Sequence, residues 1–212
     1  MKIVVVGVNE HTIEFVREMV RLGHEVVIFD DKRELVERLE AELDIAGAMV
    51  DFLNLDDLES FGFSRADVVV LAHQSDAINV TLSTYAKSVG IPRIVVLTSD
   101  SRLANILTRL GLASDTVVVG NVLSKTLVSL LRGVSVVDLP GNYAVAVINS
   151  RTLQHLAGVT IGEIKDRWRV RILQVVSKEG ELRELADDYI VKEGDVLIVL
   201  AEKAEELDKL SA

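Results

Sequence analysis

The chain has 212 residues, 49% of them hydrophobic and 26% charged, with a formal net charge of −10. That is the make-up of a globular protein with length for one or two domains, and the acid excess, spread over both halves, disfavours a nucleic-acid partner. With no cysteine, disulfides, thiolate metal sites and Cys nucleophiles are excluded. The four histidines, His11, His24, His73 and His155, never pair four residues apart, so they do not suggest a zinc helix. No apolar stretch approaches the roughly 18 residues a membrane span needs. The chain opens directly on an apolar run, so no secretory leader is expected. A cytoplasmic protein without direct membrane insertion is expected.

Apolar runs then alternate with helical patterns. Ile3–Val6 reads as a strand, followed by the turn Gly7–Thr12 and a helix marked by Ile13, Val16, Met19 and Val20 that stops at Gly23. Val26–Phe29 is a second strand, stopping at Asp30. Leu35, Val36, Leu39 and Leu43 mark the next helix. Gly47–Val50 is a third strand ending at Asp51, and Leu55–Phe61 a short helix. The fourth strand, Val68–Ala72, leads through His73–Asp76 into a helix with Ile78, Leu82, Tyr85 and Ala86, closed by Gly90-Ile91-Pro92. Ile94–Leu97, a helix over Leu103–Leu110, Thr116–Val119 and a helix over Val122–Leu131 complete this half. Continuous Val/Ile runs mark strands buried on both faces, as in a parallel sheet covered by helices.

The pattern changes after Arg132-Gly133. Ser135–Leu139 and Tyr143–Asn149 lie close together around a Pro140-Gly141-Asn142 turn signal. A helical segment over Thr160–Asp166 follows, then strands Val170–Val176, Leu182–Leu185 and Val196–Leu200, and a closing helix over Glu202–Leu210. The expected fold class is α/β: a doubly wound parallel-sheet, Rossmann-like domain over 1–132, with a second, smaller α+β domain over 133–212.

In such sheets ligands bind beyond the carboxyl ends of the strands, at the switch point of strand order. Four loops converge there from distant sequence: Gly7-Val8-Asn9-Glu10-His11-Thr12, Asp30-Asp31, Asp51, and His73-Gln74-Ser75-Asp76. The first turn opens a helix whose free N–H groups attract phosphate. Of the G-x-G-x-x-G fingerprint only Gly7 is kept, with Asn9 in the second place and Thr12 in the third. Asn9 tolerates a positive φ better than most residues, but its side chain crowds a pyrophosphate and Glu10 adds a like charge. A loop that only caps the helix is the competing reading. Asp30 has the place of a ribose-binding carboxylate, which repels a 2′-phosphate; a solvated strand-end carboxylate is its alternative. Asp51 can accept from an adenine amino group or merely form a turn, and His73 can lie against a base or sit in a polar loop.

No Tyr-x-x-x-Lys pair, Gly-x-Ser-x-Gly elbow or Walker loop is present. Asp187-Asp188 and Glu193/Asp195 read as turn chemistry rather than a calcium loop. Neither catalytic residues nor metal ligands are expected, which argues for sensing over catalysis.

The order of these segments resembles one family, the RCK or Trk/Ktr-type regulatory proteins of potassium transport. In the first half Lys2–Gly7, His24–Asp30, Ala66–Leu71 with Asp76 and Asn79, and Gly90-Ile91-Pro92-Arg93 carry the likeness. In the second, Leu156–Ile164, Arg171-Ile172, Lys178-Glu179-Gly180, Asp188 and Glu193–Val199 do so. The chain departs from the family's pattern at Asn9 and Thr12, and has Val50-Asp51-Phe52-Leu53 where Gly-Asp-Ala-Thr is usual. The resemblance implies a non-enzymatic, cytoplasmic gating subunit at the inner face of the membrane, held there by an integral membrane potassium channel or transporter, and forming homodimers within a larger, often octameric, ring. It also implies an adenine nucleotide, ATP/ADP or NAD(H), with the Gly7 turn on phosphate, Asp30 on ribose, Asp51 and Phe52 on adenine, and His73 at the base side. A cyclic dinucleotide and a divalent cation are the other ligand classes left open. Alternative functions are a small NAD-dependent oxidoreductase and a nucleotide-sensing regulator of another membrane transporter.

Overall fold

The structure, a computed structural model, describes residues 1–139, 141, 143–202 and 206–207. It divides into two compact units, Met1–Val122 and Leu123–Ala212. The division falls inside one helix, whose far end is the boundary expected near residue 133.

In the first unit six strands form a parallel sheet: β1 (Lys2–Val6), β2 (Glu25–Asp30), β3 (Ala46–Met49), β4 (Val68–Leu71), β5 (Arg93–Thr98) and β6 (Asp115–Val118), in the order β3-β2-β1-β4-β5-β6. The order reverses between β1 and β4, the switch point of a Rossmann-like sheet. Alternate side chains of β1 feed two cores. Ile3 and Val5 pack with Val16 of helix α1 (Ile13–Arg21) and Leu39 of α2 (Arg33–Leu43) on one face. Val4 and Val6 belong to the other face, with Leu58 of α3 (Leu55–Ser60), Leu82 and Ala86 of α4 (Asp76–Ser88) and Leu107 of α5 (Ser101–Arg109). Each such Val, Ile or Leu side chain contributes roughly 1.5–3 kcal/mol by leaving water, so the valine runs hold both helical layers to one sheet.

Local chemistry sets the element ends. Asp100 accepts the N–H of Arg102 at 2.7 Å to open α5, as an N-cap does. Helix α2 ends on Asp44, in the left-handed region at φ 51°, a stop that no glycine announces. Strands β3 and β6 lie one residue earlier than the apolar runs suggest.

Helix α6 (Val119–Arg132) spans the division and contains no buried residue. In the second unit β7 (Val134–Asp138), β8 (Ala144–Asn149), β9 (Arg171–Val176), β10 (Leu182–Arg183) and β11 (Val196–Ala201) form an antiparallel sheet in the order β10-β9-β11-β8-β7. Leu197, Val199 and Ala201 of the central β11 pack with Ile161, Ile164 and Trp168 of α7 (Ile161–Trp168). A reciprocal Thr160–Glu163 capping box opens α7. Asp195 is buried and accepts the Tyr189 hydroxyl at 2.8 Å and the Lys192 N–H at 2.9 Å, a turn lock. Among the described residues no cluster of three or more His, Asp or Glu could hold a metal, and no helix is long and apolar enough to cross a membrane. The turn expected at Pro140-Gly141-Asn142 lies outside the described residues at Pro140 and Asn142, as does most of the closing helix expected over Glu202–Leu210.

Candidate functional site

The loops after β1, β2 and β4 enclose a crevice of about 210 Å³. Its walls come from Gly7, Val8, Asn9 and Glu10 after β1, Asp30, Asp31 and Lys32 at the end of β2, and Ala72, His73 and Gln74 after β4. His11, Thr12, Asp51 and Phe52, also expected in the site, are not part of these walls.

Gly7 takes φ 76°, and a Cβ built on it would lie 2.5 Å from the His73 Cα. The first glycine therefore serves the close approach of two loops at the switch point, where any side chain would collide with backbone. Asn9 organises the rest of the turn. Its Nδ2 donates to the Ala72 carbonyl at 2.7 Å, its Oδ1 accepts the His11 N–H at 2.9 Å, and its carbonyl accepts the N–H groups of Thr12 and Ile13 at 3.0 Å. The positive φ expected of Asn9 is absent: among non-glycine described residues only Asp44 and Arg169 adopt one. Side-chain hydrogen bonds shape the turn instead. Thr12 is buried in the third glycine's place, with its Oγ1 accepting the Asn9 N–H at 3.1 Å. His11 is exposed, 3.9 Å from Glu10 through Nε2.

Asp30 is 3% exposed. Its Oδ2 accepts the Val8 N–H at 2.8 Å and its Oδ1 the Lys32 N–H at 3.0 Å. It is thus a buried brace between two loops as well as a wall of the crevice, and not the solvated carboxylate of the competing reading. Burial pushes its carboxyl above the ordinary carboxylate range; the Lys32 and Val8 N–H groups pull it back, and the Asp31 charge adds to the rise. Asp31 and Lys32 are exposed on the rim.

His73 is held on three sides. Its N–H donates to Asn79 Oδ1 at 3.0 Å, its carbonyl accepts Asn79 Nδ2 at 2.8 Å, and its Nδ1 accepts the Ser75 N–H at 3.0 Å. The buried Asn79 also donates to the Leu97 carbonyl at 3.0 Å, tying the ends of β4 and β5 together. Phe52 is buried with its ring edge-on to His73, centroids 4.9 Å apart. Asp51 is exposed in its own turn and accepts the Leu53 N–H at 3.0 Å. Neither is among the residues that line the crevice. Sequence reasoning missed Lys32 and Ala72; Gln74 belongs to the expected loop His73–Asp76. Lys32, directly after the strand-end Asp30-Asp31 pair, was the readable one.

Three kinds of likeness bear on this geometry. The model of the TrkA-N domain family matches residues 3–120. The chain belongs to the TrkA-N domain family. The TrkA-N segment runs from β1 into α6 and contains every wall of the crevice. The Trk system potassium uptake protein TrkA of Mycobacterium tuberculosis, in two strains, is 34% identical over 109 residues, 48% of this chain and 46% of the relative. The chain thus aligns with about half the length of these curated relatives. In fold, it is similar to the RCK domain of GsuK (TM-score 0.71, 21% identity, 99% of this chain and 46% of that one). It is also similar to the GsuK channel bound to NAD (TM-score 0.70, 20% identity, 100% and 39%). The shared fold therefore extends beyond the TrkA-N segment through the antiparallel unit.

Proposed function

We propose that this protein is a cytoplasmic regulatory subunit of a potassium channel or uptake transporter, and that an adenine nucleotide in the β1/β4 crevice sets its conformation. The observation that carries the reading is the TrkA-N match over residues 3–120, joined to 34% identity with a potassium uptake protein. The nucleotide reading draws support from the crevice at the switch point, beside the start of α1, and from the NAD-bound state of GsuK.

The assignment is residue by residue. Gly7 to Glu10 face the phosphate, with His11 and Thr12 shaping that turn from outside. Asp30 and Asp31 face the ribose. Asp51 and Phe52 back the base side behind His73. Residues 1–132 form the nucleotide-binding lobe and 133–212 the regulatory lobe. Self-association uses α6, whose Leu123, Leu127, Leu130 and Leu131 are all exposed, more apolar surface than a lone helix leaves to water without a partner. Dimers assembled into a ring transmit the ligand's preference for one conformation to a membrane partner, by no more than its differential affinity for the two states.

The test is potassium or rubidium uptake by the source organism with the gene deleted and then restored. Uptake should fall and recover with the intact chain. Unchanged uptake in the deletion strain, with the transporter present, contradicts the proposal.

A further inference from the structure

The turn after β1 has consumed its own donors. The N–H of Gly7 goes to the Phe29 carbonyl, that of Val8 to Asp30, that of Asn9 to Thr12 Oγ1, that of His11 to Asn9 Oδ1, and those of Thr12 and Ile13 to the Asn9 carbonyl. Among the described residues, only the Glu10 N–H in this turn lacks an acceptor. A bridging pyrophosphate needs several such donors at once, because a buried anionic oxygen without a partner is costly.

The passage a dinucleotide would take is also bridged. In a dinucleotide site the second glycine leaves room for the pyrophosphate to cross between the two halves of the sheet. Here the Asn9 side chain fills that gap and donates to the Ala72 carbonyl at 2.7 Å, while Gly7 and His73 meet backbone to backbone. Charge points the same way. Glu10, Asp30 and Asp31 line the crevice against the single cation of Lys32, so each added phosphate meets growing repulsion.

From these observations we infer that the crevice takes a nucleoside monophosphate, and that Asn9 is the residue that excludes dinucleotides. The inference rests on the adenine-nucleotide reading above. One phosphate uses the Glu10 N–H and the Lys32 ammonium. The ribose lies toward Asp30 and Asp31 and the base toward His73, and no second phosphate passes the Asn9–Ala72 bridge.

The test is calorimetric titration of the full chain with adenosine, AMP, ADP, ATP and NAD, for the wild type and Asn9→Gly. In the wild type AMP should bind at least about tenfold more tightly than either NAD or ATP, and more tightly than adenosine. Asn9→Gly opens the gap and frees the His11 N–H, so the affinity for NAD should gain several-fold relative to that for AMP. Should the glycine variant fail to fold, Asn9→Ser shortens the same side chain, and the wild-type ranking stands by itself. NAD binding the wild type as tightly as AMP overturns the inference and leaves the nucleotide reading intact. Equal affinity for adenosine and AMP overturns the phosphate assignment. An NAD affinity unmoved relative to that for AMP in a folded Asn9 variant overturns the role of Asn9. Binding of none of the five overturns the nucleotide reading, and this inference with it.

Discussion

The carboxylate of Asp30, at the end of β2, accepts the backbone N–H of Val8, just past β1, at 2.8 Å. Its second oxygen takes the Lys32 N–H at 3.0 Å. One side chain thus fixes the first loop of the crevice and the entry to α2 together. Asp30→Ala leaves the Val8 N–H unsatisfied in a buried place and should cost about 2–4 kcal/mol, read as a lower denaturant midpoint at constant slope. A midpoint equal to wild type would show that the brace carries no stability.

The same residue gives a pH signature. Burial raises the Asp30 carboxyl above its ordinary range, with the Asp31 charge adding to the effect. In the interval between the unfolded value, about 3.9, and the raised native value, the folded protein holds a proton that the unfolded chain has lost. Stability from this group therefore falls as pH rises through that interval and is level above it. The unfolding free energy of wild type minus that of Asp30→Asn, followed against pH, should decline over that span. A difference that rises with pH there reverses the sign and contradicts the assignment.

Gly7→Ala tests the loop contact at the switch point. The added Cβ meets the His73 backbone at 2.5 Å, in a conformation, φ 76°, that L-residues avoid. Strain and overpacking together should cost about 2–4 kcal/mol. Thermal melts of the variant check this, and a loss below a few tenths of a kcal/mol would mean that the two loops part easily.

The exposed face of α6 should hold copies of the chain together. Replacing Leu127 and Leu131, which are 52% and 83% exposed, by glutamate places charges on that face without emptying a core. Sedimentation should show a larger monomer fraction, with the melting temperature of the monomer little changed. Association equal to wild type would move the self-association surface elsewhere.

The strands were legible because Val/Ile runs such as Val4–Val6 and Val68–Leu71 are buried on both faces and so need no alternation. The convergence of the loops after β1, β2 and β4 followed from strand ends alone. What each side chain does there did not follow. Asn9 bonds to Ala72 and Asp30 to Val8, partners 63 and 22 residues away, and spacing within one loop carries no record of them. Asp51 and Phe52 lie off the crevice walls for a local reason: β3 ends at Met49, and the turn beyond it sends the apolar ring of Phe52 into the core. Lys32, though readable from its place after Asp30-Asp31, was passed over because a cation at a helix start reads first as a solvated end.

Amide chemical-shift mapping of the full chain during titration with AMP tests the central claim most directly. The largest shifts should fall on Val8, Glu10, Lys32 and Gln74, around the β1/β4 crevice, and should saturate together. Shifts confined to residues 123–212, or none at saturating AMP, ADP, ATP and NAD, would contradict a nucleotide-sensing crevice.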